Sequence, residues 1–319
     1  MASPSIGHKT QASFGYETTP GTPVSPRTVG MRVSSVDLAP HSKVSGIKTL
    51  TGDGVVGVVS DFLQESVEVT GNIKAPACFQ GGNLGFLLEL AMGTGSCTDA
   101  GAGPYTHTYA VAPTQDCATI AIERGDTGYD EVVSGCKLSK LAISVQPGQV
   151  AEVSADFTGM TYASRAAVAR ITPATAFYVK HNHVGSVSFN SVSYVASSLT
   201  VTIDRKISTL FELGSLTSGE PVQTDHIECM VEAEFVVRGE NTLQAAANAV
   251  TSADLTCTIS DGTRSLALTL YGATITDHSD PISSIGVIKQ KVKWMGKGDG
   301  TNHGIGFVLT NANATPRLS

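Results

Sequence analysis

Residues 65–75 read ESVEVTGNIKA, and the alternation inside them decides the fold class. Val67, Val69, Gly71 and Ile73 fall on one side; Glu68, Thr70, Asn72 and Lys74 fall on the other. A period of two with one apolar face is the signature of a half-buried strand. The same period recurs outward in both directions, at 118–122 (ATIAI), 138–145 (LSKLAISV), 150–157 (VAEVSADF), 199–203 (LTVTI), 227–237 (IECMVEAEFVV), 255–259 (LTCTI), 266–271 (LALTLY) and 285–294. Two segments read as helices: 83–92 (NLGFLLELAM), capped by Asn83, and 241–250 (NTLQAAANAV), capped by Asn241 or Thr242. The expectation is a mainly β chain.

The pattern occurs twice. Residues 118–160 lie over 255–297 at a constant shift of 137: Ile122 falls on Ile259, Gly135 on Gly272, Val150 on Val287, Phe157 on Trp294 and Gly159 on Gly296. Upstream, 67–75 matches 229–237 at a shift of 162, and Leu84 falls on Leu243 at 159. The drop from 159 to 137 gives the first copy 22 extra residues, in the loop after its helix around GTGSCTDAGAGPYTHTYAVAPTQD. A duplication of this length organises the whole fold. The sequence therefore divides into an N-terminal arm (1–30, rich in Pro, Gly, Ser and Thr), a first module (31–160), a linker (161–182) where the strand period lapses, and a second module (183–319).

Composition narrows the function. Of 319 residues 41% are hydrophobic, enough for a real core, and only 15% are charged, so Ser, Thr, Asn, Gln and Gly must supply much of the polar surface. That suits a protein in contact with copies of itself, and also secreted β-sandwiches. The net charge of −7 and the lack of any basic run argue against tight nucleic-acid binding. The six cysteines form no C-x-x-C pair, and several sit in apolar strand patterns, where a thiol packs as a small hydrophobe; buried thiols are favoured over disulfides. The N-terminal MASPSIGHKTQASFGY lacks the apolar core of a signal peptide, and no apolar run approaches the ~20 residues of a membrane span. Synthesis and assembly in a cytoplasm are expected.

The motifs that resemble chemistry fail on context. Gly52-Asp53-Gly54-Val55-Val56-Gly57 satisfies G-x-G-x-x-G, but Val58, Val59 and Ser60 continue as extended chain where a dinucleotide site needs a helix; a hairpin tip is the better reading. Gly296-Lys297-Gly298 lacks the Ser or Thr and the upstream glycine of a phosphate loop. His181-Asn182-His183 offers two imidazoles on one face of a strand, short of the three or four ligands of a metal site. No G-x-S-x-G elbow is present, and no catalytic, cofactor-binding or metal residue is nominated.

Three segments resemble the tail tube proteins of long-tailed, non-contractile bacteriophages: Phe14-Gly15-Tyr16-Glu17-Thr18-Thr19-Pro20-Gly21-Thr22-Pro23; Tyr105-Thr106-His107-Thr108-Tyr109, then Pro113 and the strand Ala118–Glu123; and Ser134-Gly135-Cys136-Lys137-Leu138, leading through Leu141–Val145 and Gly148 to Asp156. The likeness covers mainly residues 10–160; the second half is tied to it by the repeat. It implies β-sandwich or barrel modules, each flanked by a short helix, whose inner sheets join side by side into a closed barrel around a channel. It also implies a long hairpin and terminal arms that reach the next ring. The implied role is a structural virion protein that polymerises into the tail tube through which the genome is ejected. The implied partners are the chain itself, tape-measure, tail terminator and tail tip proteins, and DNA in transient non-specific passage, with no membrane.

Three expectations follow from the resemblance and the repeat together. Two modules per chain and six modules per ring give a trimeric, pseudo-sixfold ring; the alternative is six chains with the second module outside. The channel should be lined by acidic and small polar residues, from Glu68, Thr70 and Asn72 on one matched strand and Glu228, Met230, Glu232 and Glu234 on the other. An ordinary solvated outer face is the alternative. Finally, Glu152, Ser154 and Asp156 match Lys289, Lys291 and Lys293, so the two modules should recognise each other by charge. These lysines oppose the acidic-channel reading if their strand lines the lumen. The rival functions are a β-sandwich adhesin or virion decoration protein and, behind it, a carbohydrate-active enzyme, for which no carboxylate pair can be nominated.

Overall fold

The computed structural model describes residues 10–47, 61–80, 84–98, 104–124, 130–166, 168–237, 242–279, 288–298 and 301–314. The glycine-rich motif at 52–57 and the caps Asn83 and Asn241 lie outside them. The first half runs β1 (Gln11–Tyr16), β2 (Val29–Met31), β3 (Ser35–Ile47), β4 (Asp61–Pro76), β5 (Cys78–Gln80), α1 (Leu84–Met92), β6 (Gly93–Thr98), β7 (Tyr105–Val111), β8 (Ala118–Glu123), β9 (Asp130–Val145), β10 (Glu152–Gly159), β11 (Thr161–Ala166) and β12 (Phe177–Tyr178). The second half runs β13 (Val184–Phe189), β14 (Val192–Tyr194), β15 (Ala196–Asp204), β16 (Ile207–Ser208), β17 (Val222–Gln223), β18 (Glu228–Val236), α2 (Thr242–Asn248), β19 (Ser252–Ser260), β20 (Ser265–Ser279), β21 (Lys289–Met295) and β22 (Ile305–Asn311). The chain is mainly β, as its alternation predicts.

Each half is a sandwich with the same antiparallel pairings. In the first, a front sheet runs β3–β4–β10–β9 and a back sheet runs β2–β1–β8–β9. In the second, the front sheet runs β15–β18–β21–β20 and the back sheet β14–β13–β19–β20. The long strands β9 and β20 pass from one sheet to the other. They bend at equivalent glycines, Gly135 (φ +66°) and Gly272 (φ +51°), a left-handed conformation that a side chain resists. A β-bulge recurs at the same place too, between Asp156 and Phe157 on β10 and opposite Lys293–Trp294 on β21. The core aromatics repeat: Phe14 stacks at 6.3 Å from Phe157, and Phe189 at 5.9 Å from Trp294, all fully buried.

Several expectations need correction. Residues 11–16 and 29–31 do not form an arm. Ala12, Phe14, Val29 and Met31 are buried, and β1–β2 is the counterpart of β13–β14. The segment 161–182 contributes β11, paired with β9, and β12, paired with β5. His181–His183 form a short 3-10 turn, not a strand. The alignment of the copies is off by two residues at two strands, β8 inside the gap-free segment and β4 upstream of it. Ala118 is the counterpart of Ala253, since they face the equivalent Cys136 and Ala273. Asn72 is the counterpart of Glu232, since they face Asp156 and Lys293. A two-residue slip leaves every side chain on its own face, so alternation cannot detect it.

The extra residues of the first copy are a hairpin, not a loop. β6 and β7 pair with each other, and β7 pairs with β22, which continues the back sheet of the second copy through β20. This hairpin also covers α1. All nine residues of α1 are buried, whereas α2 buries only Leu243. An all-round apolar helix needs such cover, and a one-sided one does not.

Candidate assembly surface

The two front sheets are one surface. β9 of the first copy pairs with β15 of the second over six residues, from Leu199 opposite Val145 to Asp204 opposite Lys140. Eight strands therefore run edge to edge, β3–β4–β10–β9–β15–β18–β21–β20. Their buried face carries Leu38, Ile73, Phe157, Ile143, Val201, Val231 and Trp294. Their other face is polar and partly exposed, because each strand alternates.

Glu68, Thr70, Asn72, Glu228, Glu232 and Glu234 all stand on this polar face, and so do Glu152, Asp156, Lys289, Lys291 and Lys293. The acidic and basic sets are interleaved. Lys289 pairs with Glu234 at 2.5 Å and Lys291 with Glu232 at 2.8 Å, across β18 and β21. The hydrogen bond to Glu232 holds the Lys291 ammonium above its ordinary pKa. In the first copy Asn72 donates to Ser154 (2.8 Å) and to Asp156, and Lys74 stands 4.0 Å from Glu152. Thr209 donates to Glu68 at 2.9 Å, and Lys206 bridges Asp204 (2.9 Å) and Glu228 (3.2 Å). With Asp37, Asp204 and Asp277 added on the acidic side and Lys74 and Lys140 on the basic side, carboxylates outnumber lysines on the face.

The expected charge recognition between modules is not what joins them. β10 and β21 are interior strands with three strands between them, so Glu152 and Asp156 do not face Lys289, Lys291 or Lys293. Each set is partnered inside its own copy. The strands that meet are β9 and β15, with Lys140 opposite Asp204, a pair that single-strand periodicity cannot indicate.

Three further contacts bind the copies. Arg205, 1% exposed, follows β15 and donates to Ala91 O at the end of α1 (2.9 Å) and to Ala112 O (2.6 Å). Burial lowers its pKa. On the back sheet, buried His107 of β7 meets buried Asn311 of β22 at 3.1 Å, and Asn311 donates to Phe79 O at 3.0 Å. The loop between β15 and β18 folds over the first copy, where Val67 N–H donates to Leu216 O (2.8 Å) and Lys137 pairs with Glu220 (2.6 Å).

Among the described residues no group of three or more His, Cys, Asp or Glu side chains is placed to hold a metal. No helix of the described residues is long and apolar enough to cross a membrane. All six cysteines are thiols, five of them buried. Among the described residues the outer strand β3 and the end of the outer strand β20 each pair with one strand only, and one face of the sheet between them is charged.

A comparison with curated proteins finds no match. A family model described as phage tail tube protein matches residues 7–296, which takes in both sandwiches from β1 to the end of β21. Duplicated sandwiches, a shared eight-stranded sheet and a match along nearly the whole chain lead to one conclusion: the chain belongs to the phage tail tube protein family.

Proposed function

We propose that this chain polymerises into stacked rings that form a phage tail tube, the channel for genome ejection, with three chains and six sandwich copies per ring. The observation that carries this reading is the β9–β15 seam, where two copies of one sandwich already sit edge to edge with their polar faces on one side. Three chains of eight strands give a barrel of twenty-four. With strands about 4.8 Å apart and tilted about 40°, its backbone diameter is roughly 48 Å, which leaves a lumen wider than a DNA duplex after side chains are added. Six chains joined in the same way would double that width, and two would leave a lumen that grips the duplex.

The polar face is then the channel wall. Glu68, Thr70, Asn72, Glu228, Glu232 and Glu234 line it, with the lysines of β21 tied to Glu232 and Glu234. An excess of carboxylates keeps phosphates from lodging on the wall. Tape-measure, terminator and tip proteins are the partners implied by the family likeness, and the virion tail, assembled in the host cytoplasm, is the implied location. Negative-stain microscopy with mass measurement of isolated rings tests the reading. Hollow tubes built from rings of three 33.0 kDa chains are expected. Discrete monomers would return the protein to the adhesin or decoration class, and a reconstruction with Glu228 and Glu232 outside the tube would reverse the assignment of the face.

A further inference from the structure

The duplication makes the seam inside the chain a template for the joint between chains. Taking the ring reading as given, we infer that β20 of one subunit pairs antiparallel with β3 of the next, with Asp277 opposite His41 and Ser279 opposite Ala39.

The two edges are identified by equivalence. β9 and β15 meet inside the chain; β20 is the counterpart of β9, and β3 is the counterpart of β15. Both counterparts are outermost strands of the eight-stranded sheet. Among the described residues β3 pairs only with β4, and the end of β20 pairs on one side with β21 and meets no second strand. Pro40 on β3 stands where β15 has Ile203. Lacking an N–H, it suits the outermost strand of the single subunit, and it leaves the joint to the next subunit one ladder bond short of the inner seam.

The register follows from the same correspondence. Lys140 and Asp204 are opposite at the inner seam. The bulge places Lys140 level with Asp156, as Asp277 is level with Lys293, so Asp277 is the counterpart of Lys140. The β3–β4 and β15–β18 ladders place His41 opposite Glu68 and Asp204 opposite Glu228, so His41 is the counterpart of Asp204. The backbone bond Arg205 N–H to Ser139 O, 2.8 Å long, becomes Ser42 N–H to Thr276 O.

The charges support this pairing. At the inner seam the first copy brings a lysine and the second an aspartate. At the outer joint the second copy brings Asp277 and the first His41. Each joint sets a carboxylate against a nitrogen-bearing side chain, but the carboxylate changes copies, so the first copy's β9 edge carries Lys140 and the second copy's β20 edge carries Asp277. A β20 edge offered to β15 would set Asp277 against Asp204. That mismatch favours alternation of first and second copies around the ring. Both His41 and Asp277 are exposed in the single subunit, as a joint still to be made requires.

Cysteine pairs test the register. Opposed residues in an antiparallel ladder have Cα atoms about 4.5–5.5 Å apart, within the span of a disulfide. The full-length double variant Ala39→Cys, Ser279→Cys, assembled and mildly oxidised, should give disulfide-linked species of two and three chains on a non-reducing gel. The series should end at three. Each single variant should give none, and the mismatched pair Ala39→Cys, Asp277→Cys should give at least fivefold less. Intact tubes by microscopy with no linked species from the matched pair would overturn the joint while leaving the ring standing. Wild-type protein that forms neither rings nor tubes would remove the ring reading itself. Should the cysteine variants misfold, judged by Trp294 emission, the charge variants decide. His41→Glu should cut tube yield at least tenfold, and Asp277→Lys added to it should restore assembly; full tube yield from His41→Glu alone would overturn the pairing.

Discussion

Replacing Arg205 by methionine should loosen the seam between the two copies. The side chain is 1% exposed and donates to Ala91 O and Ala112 O, at 2.9 and 2.6 Å. Methionine fills similar volume but donates nothing. Each buried carbonyl left without its charged partner costs about 1–3 kcal/mol. Relief from burying a guanidinium, whose lowered pKa records that penalty, offsets part of this. The net loss should be about 2–4 kcal/mol, a large share of the usual 5–15 kcal/mol of a folded chain. Arg205→Lys keeps the charge but lacks the fork that spans two acceptors, so it should lose roughly half as much. Urea denaturation followed by fluorescence reads this directly, because Trp294 is the single tryptophan and is fully buried in the second copy. A methionine variant whose unfolding free energy falls by under 0.5 kcal/mol (about the size of an ordinary surface substitution) would refute the role given to Arg205.

Other outcomes follow from the same structure. Gly135→Ala should cost about 2 kcal/mol or more in urea unfolding, because its Cβ would lie 2.5 Å from Met160 Cγ at a positive φ; Gly272→Ala, whose nearest neighbour would be 3.4 Å away, should cost only the ~1 kcal/mol of backbone strain. The Lys291–Glu232 pair is about half exposed, so a double-mutant cycle should give a coupling of ~0.2–1 kcal/mol that shrinks in 1 M salt. Burial holds the thiols of Cys117 and Cys229 at about 12 and that of Cys257 at about 11, against 9.0 for an ordinary thiol. Their contribution to stability is therefore complete below about pH 9 and lost as pH rises through 11–12, so urea midpoints should fall across that window. At pH 8 a thiol reagent should label Cys97, the one cysteine not buried, well ahead of the other five.

Much of this fold is legible in the residues, and the parts that are not share a cause. Strands such as β4 and β18 declare themselves because one face must be apolar. Their partners do not, since pairing is a relation between distant segments. The same period of two that reveals a strand hides a slip of two, which is why Asn72 aligns with Glu234 by pattern and with Glu232 by hydrogen bonding. β1 escapes notice because QASFGY is short and adjoins a proline- and glycine-rich stretch; the signal was Phe14, the counterpart of Phe189 in SVSFN. β6 and β7 are masked by small and polar residues, GTGSCT and YTHTYAV, since a sheet covered by its neighbours needs few large side chains. The channel candidates could be placed on a face but not among their lysine partners, because β21 reaches β18 only through the fold.

The hairpin β6–β7 occurs in one copy only, so the joints around a ring of three chains would alternate in thickness. Within a chain, neighbouring sandwiches are tied at the front by β9–β15 and at the back by β7–β22. Between chains, the second copy would offer no such hairpin among its described residues, and the proposed front ladder alone would remain. Bending stiffness rises steeply with the thickness of a plate, so two-layer seams act as panels and one-layer joints as hinges. A tube of such rings would flex by opening and closing three longitudinal creases per ring, and the panels between them would hold their curvature.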